Sequence, residues 1–165
     1  MTPSLQRITT EYIDLEDRIR LSGETENAAT VVVWLTQRLL ERLLPALRQW
    51  LEQQNADTSH AEMLHGFAQQ IAEAGLTPQM PVRADANSTA WLALSVDITQ
   101  SEQAVSLTLR GVDGQDVNLT LAANPLRQWL AILHGAYCKA GWPLAVWPEW
   151  IRARTLPAMQ QVVLH

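Results

Sequence analysis

The chain has 165 residues, a net charge of −5 and a pI near 5.3, a size that suits one domain. The acidic balance argues against a protein that grips nucleic-acid backbones, because that affinity comes from clustered Lys and Arg. Hydrophobic residues at 47% supply a core, while charged residues at 18% fall below the usual quarter and suggest surface covered by a partner.

Cys138 is the single cysteine, which excludes an internal disulfide and fits a reducing compartment. The start, MTPSLQRITTEY, lacks the charged and apolar regions of a signal peptide, and the apolar run AATVVVWLT is too short to cross a bilayer. The expectation is a soluble cytoplasmic protein with no membrane and no nucleic-acid partner. One lysine, Lys139, against eleven arginines points to a GC-rich, bacterial genome.

In chain order, EYIDLEDRIRLSG alternates Ile13, Leu15, Ile19 and Leu21 with polar residues, the period of a half-buried strand, with Asp17 marking a bulge or bend. ATVVVWLT reads as a strand buried on both faces. The period then lengthens. Leu39, Leu40, Leu43, Leu44, Leu47, Trp50 and Leu51 form a helical stripe behind Thr36 as N-cap. Pro45 either kinks this helix or begins it; the leucine pairs before it favour one kinked helix. SHAE, with Ser59 and Glu62, is a capping box opening a second helix. Its buried stripe is expected to be Met63, Leu64, Phe67, Ile71 and Ala74, with Gly75 as the stop.

Residues 77–88 read as a loop between a first half, 1–76, and a second, 89–141. AWLALSVDI is one strand with Leu92, Leu94, Val96 and Ile98 on its apolar face. Val105, Leu107 and Leu109 mirror Val117, Leu119 and Leu121 across the Asp113–Gly114 turn, a hairpin signature. A helix follows, with Asn124 as N-cap, Pro125 in its first turn, Gly141 at its end and a stripe from Leu126 to Ala140. The pentapeptide LRQWL occurs at 47–51 and 126–130; in both helices Leu and Trp should face the core and Arg and Gln the solvent. The fold expected is α+β, an antiparallel or mixed sheet of about five strands with three main helices, in two related strand–strand–helix halves. All 165 residues form a single domain, 142–165 being a Trp/Pro-rich C-terminal segment.

Chemistry-bearing patterns are sparse. His60, Glu62 and His65 lack the four-residue histidine spacing of a zinc protease helix, so no metal and no cofactor is expected. No phosphate loop and no serine elbow occurs. His134, Tyr137 and Cys138 share a helix face and could line a pocket between the halves. Trp142, Trp147, Trp150, Arg152 and Arg154 combine the residue types enriched at interface hot spots, unless the indoles instead complete the core. The function expected is a non-enzymatic interaction module, an adaptor or assembly factor that forms a homodimer. The alternative is a small-molecule-binding protein or an atypical enzyme.

Overall fold

The computed structural model describes residues 1–55 and 60–152. The chain is α+β, and its strands fall into two sheets. Strands β1 (Leu5–Ile13), β2 (Arg18–Thr25) and β3 (Thr30–Leu35) form an antiparallel meander that leads into helix α1 (Gln37–Glu52). A 3-10 turn (Gln53–Asn55) ends α1, and helix α2 (Ala61–Ala74) precedes a short strand, β4 (Thr89–Leu92), which pairs parallel with β3. Strands β5 (Ser95–Gln100), β6 (Ala104–Arg110) and β7 (Asp116–Ala122) form a second antiparallel meander, followed by helix α3 (Ala123–Ala140). Each half therefore holds three antiparallel strands and then a long helix. No described helix is long and apolar enough to cross a membrane.

The expected single strand over EYIDLEDRIRLSG is two strands. Residues 14–17 turn the chain, with Leu15 fully exposed at the tip and Asp17 at φ 49°. Asp tolerates that left-handed backbone, and its carboxylate accepts hydrogen bonds from Tyr12 Oη at 2.7 Å and Trp142 Nε1 at 3.1 Å. AWLALSVDI is likewise broken. Ala93 N–H donates to Trp34 O and Leu94 N–H to Arg110 O, so the chain leaves one sheet and enters the other. The break changes which residues face inward: Trp91 and Ala93 are buried, whereas Leu94 is exposed.

The hairpin keeps the expected register, with Val105 opposite Leu121, Leu107 opposite Leu119 and Leu109 opposite Val117. Asp113 and Gly114 both have positive φ (54° and 77°), the backbone of a type I′ turn. The sheets also meet at the far edge. Ser4 bridges Asn118, whose N–H donates to Pro3 O at 2.8 Å.

Helix α1 is continuous through Pro45, Thr36 caps it through Oγ1 at 3.1 Å from Leu39 N, and all seven expected stripe residues are buried. In α3 the cap is Ala122 rather than Asn124, without a side-chain bond, and Gly141 ends the helix at φ 71°. The leucines of both helices, the inward strand residues and Trp91, Trp129, Trp142, Trp147 and Trp150 share one core.

Candidate functional site

The C-terminal tryptophans were candidates for an exposed patch, and they are buried: 7% exposed at Trp142, 3% at Trp147 and 6% at Trp150. After Gly141 the chain turns back over α3, and its rings meet those of the helix. Trp147 stands edge-on to His134 at 5.1 Å and to Tyr137 at 5.3 Å, while Trp142 lies between Tyr137 at 5.0 Å and Tyr12 at 5.5 Å. The fold thus brings two of the pocket candidates, His134 and Tyr137, against two of the patch candidates. The space expected to be a pocket is filled by indole rings. Arg152 is half-buried beyond them, and Arg154 lies outside the described residues.

The chemistry of this cluster is that of uncharged groups. His134 is fully buried, and burial, helped by the Arg152 cation, pushes its pKa down to about 4. Burial, with Glu41 nearby, holds the Tyr137 phenol well above its ordinary range, and burial raises the half-buried Cys138 thiol. All three are therefore neutral at pH 7, without the thiolate or accessible base that nucleophilic chemistry needs. Among the described residues, neither ring nitrogen of His134, nor Tyr137 Oη, nor Trp147 Nε1 has a hydrogen-bond partner. No described group of three His, Cys, Asp or Glu is placed to hold a metal ion.

Trp150 belongs to a different cluster. Arg127, on α3, is 4% exposed, against the expectation that Arg of the second LRQWL faces solvent. Its guanidinium lies 5.0 Å over the Trp150 ring and donates to His65 Nδ1 at 3.0 Å. An arginine can only donate, so His65 Nδ1 accepts, and Nε2–H donates to Glu52 O at 3.2 Å. His65 is thereby fixed as the neutral Nε2–H tautomer, and burial together with the Arg127 charge lowers its pKa. Burial brings Arg127 down to about 10, still a cation at neutral pH.

These bonds explain how α2 sits. Gln69 Nε2 donates to Arg127 O at 2.9 Å, Gln128 Nε2 donates to Ala72 O at 3.0 Å, and Gly75 lies against the Gln128 side chain. Contacts spread along α2 from His65 to Gly75 converge on two adjacent residues of α3, Arg127 and Gln128. The face toward α3 is His65, Gln69 and Ala72. The expected stripe faces the opposite way: Met63 is 58% exposed, Phe67 55% and Ile71 70%. The capping residue Ser59 lies outside the described residues, and His60 occupies the N-cap without a side-chain bond. His60, Glu62 and His65 do not form a site, since His60 and Glu62 are exposed and His65 is held by Arg127.

The outer face of α2 is the feature that sequence reasoning misplaced. The stripe itself was legible; its direction was not. One signal was present, because the opposite stripe, His65, Gln69 and Ala72, carries hydrogen-bonding groups suited to the polar pair Arg127–Gln128. Beside the C-terminal end of α2, Leu76 and Met80 border an open groove of about 420 Å³ between β1 and α3, with Ile132 on its far wall. Arg7 Nη1 donates to Met80 O at 3.2 Å and Val82 N to Thr9 Oγ1 at 2.8 Å, holding residues 80–82 across the edge strand β1.

No family model matches this chain, and neither does any curated protein or solved structure.

Proposed function

We propose that this chain is a non-enzymatic protein-interaction module, an adaptor or assembly factor of the cytoplasm, that docks its partner on the outer face of α2. The observation that carries the reading is the inverted helix: Met63, Leu64, Phe67 and Ile71 face solvent while His65 and Gln69 are buried. Burying an apolar side chain is worth roughly 1.5–3 kcal/mol, so four exposed in one stripe represent a driving force reserved for association. Contiguous apolar surface of this kind marks interaction sites in soluble proteins. The uncharged His134–Tyr137–Cys138 face supports the non-enzymatic part of the reading. The single half-buried cysteine fits a reducing compartment.

The test is a Phe67→Gln/Ile71→Gln variant. Exposed sites tolerate polar substitution within about 0.5 kcal/mol, so thermal stability should be unchanged while binding of Nile red, an apolar fluorescent dye, falls. A stability loss above about 2 kcal/mol would mean that the chain covers this face itself, and the reading would fail. The homodimer expected from composition would cover the same stripe with a second copy. Light scattering on the wild type and this variant decides whether it forms.

A further inference from the structure

From the course of the groove beside β1, we infer that the free edge of this strand takes a short extended segment of another protein as an added strand, uncharged along the paired stretch. The edge is separate from the outer face of α2, and its use does not depend on that face. Strand β1 has one neighbour in its sheet, β2. A strand paired on one side only turns the N–H and C=O groups of alternate residues toward the open side. That side is occupied at its very start, where Ser4 bridges Asn118 and Pro3 O accepts from the Asn118 N–H. The bulge between Leu5 and Arg7 then bends β1 away from β7. Among the described residues, the main chain from Gln6 to Tyr12 makes no hydrogen bond outside its ladder with β2.

The groove of about 420 Å³ follows this edge, and five consecutive residues, Gln6 to Thr10, border it. Successive side chains of a strand point to opposite faces. A cavity that touches all five therefore runs along the edge itself, where the main chain lies. Residues 76–82 form one wall, pinned over the Arg7 and Thr9 face of β1 by the bonds of Met80 and Val82. Trp129 and Ile132 of α3, with Leu121 of β7, form the other. Trp129 Nε1 donates to Thr10 Oγ1 at 3.0 Å, where that wall meets the strand. At about 3.3 Å per residue, Gln6 to Thr10 span roughly 13 Å, a length for about five residues of a partner strand.

Main-chain donors and acceptors at strand spacing are complementary to another extended backbone, the basis of recognition by strand addition. Among the described residues, Arg7 is the only charged one bordering the groove. Its guanidinium is already engaged by Glu24 at 3.4 Å and Met80 O at 3.2 Å. A charge on the occupant would lose water there without gaining a counter-ion, which selects an uncharged stretch. A second copy of this chain is a poorer occupant. Its own β1 edge lies between the same two walls, and two recessed edges cannot approach to the roughly 4.8 Å that strand pairing needs.

The test uses the full chain, isotope-labelled, and a blocked seven-residue peptide of alternating valine and threonine. Binding is followed by NMR amide shifts and amide exchange, with light scattering alongside. The peptide should bind saturably with a Kd at or below about 1 mM and shift the amides of residues 6–10 and Ile132. It should also slow exchange of those β1 amides that do not bond β2. Two N-methylated peptides, each blocked at alternate amides, separate the two edges of the added strand. One should bind about tenfold more weakly than the parent and the other about equally. Lysine or glutamate at two adjacent central positions should each weaken binding about tenfold. Ile132→Lys, at a wall position that is 40% exposed, should do the same, whereas Phe67→Gln on α2 should leave binding unchanged.

Equal binding of the two N-methylated peptides means that the main chain of the edge is not recognised, and strand addition is overturned. So it is if Ile132→Lys binds as the wild type does, if Phe67→Gln abolishes binding, or if no saturable binding occurs up to about 1 mM. Lysine and glutamate peptides that bind as well as the parent overturn the uncharged assignment. A free monomer whose β1 amides are all protected from exchange covers its own edge, and a dimer that protects them assigns the edge to a second copy; either result overturns the foreign strand.

Discussion

His134 makes the stability of this fold sensitive to acid in a window that can be calculated. The imidazole is fully buried against Trp147, and its pKa falls from 6.5 to about 4 because burial disfavours the cation and Arg152 adds repulsion. In the unfolded chain the same group titrates near 6.5. As pH falls, the unfolded chain therefore takes up its proton first. Stability is fully present above about 6.5, declines as pH falls and is lost in full near 4. Each pH unit in that interval is worth about 1.4 kcal/mol, so His134 alone accounts for about 3 kcal/mol. That is a large part of the 5–15 kcal/mol typical of a domain.

The perturbation is His134→Leu, which removes the titrating group and both unpartnered nitrogens from the core. Urea unfolding followed by tryptophan fluorescence at pH 7, 6, 5 and 4 compares the two proteins. Carboxylates and His65 titrate in both, so the difference between the curves isolates His134. With a urea dependence of about 2 kcal/mol per molar, the wild type should lose about 1.5 M more in midpoint than the variant. Parallel pH profiles would refute the reasoning, and so would an imidazole resonance of folded His134 titrating near 6.5.

Further outcomes follow from particular contacts. Arg127→Met removes the cation beside His65 and the donor to its Nδ1; the His65 pKa should rise, and amide exchange in the first half of α2 should accelerate by NMR. Gly111→Ala places a Cβ 2.7 Å from the Trp91 ring and 3.2 Å from Leu92 O. Overpacking of this kind costs about 1–3 kcal/mol, readable as a lower Tm. The Cys138 thiol, raised by burial, should react with a disulfide reagent at pH 7.5 several-fold more slowly than free cysteine, and unfolding in urea should abolish the difference.

Local grammar was legible wherever a single element determines its own inward face. The α1 stripe, the Thr36 cap and the Val105–Leu121 hairpin register each follow from residues close in sequence, and the α+β class follows from them. Breaks were harder. Leu15 and Leu94 continue an alternation in the sequence although each sits where the chain turns or changes sheets, and apolar alternation cannot register a change of direction. The α2 inversion was illegible for another reason. Which face turns inward depends on Arg127 and Gln128, more than fifty residues away, and a buried arginine makes a polar face the better fit. The candidate site was half legible. The sequence marked His134, Tyr137 and the tryptophans as unusual, and the fold joins them as packing, while the exposed apolar residues were assigned to the core.

The bridge between Ser4 and Asn118 has a consequence for how the molecule assembles. Strand β1 lies in the first half and β7 in the second, so joining Ser4 to Asn118 closes a loop of about 114 residues, at an entropic cost on the order of 4 kcal/mol. A few backbone bonds cannot meet that cost until both meanders already hold their ends in place. The seam should therefore zip last in folding and open first on partial unfolding. Exchange of the Asn118 amide, which donates to Pro3 O, reports that opening. Pro3 and Ser4 thus act as a latch between the two sheet edges, added to the core that both halves already share.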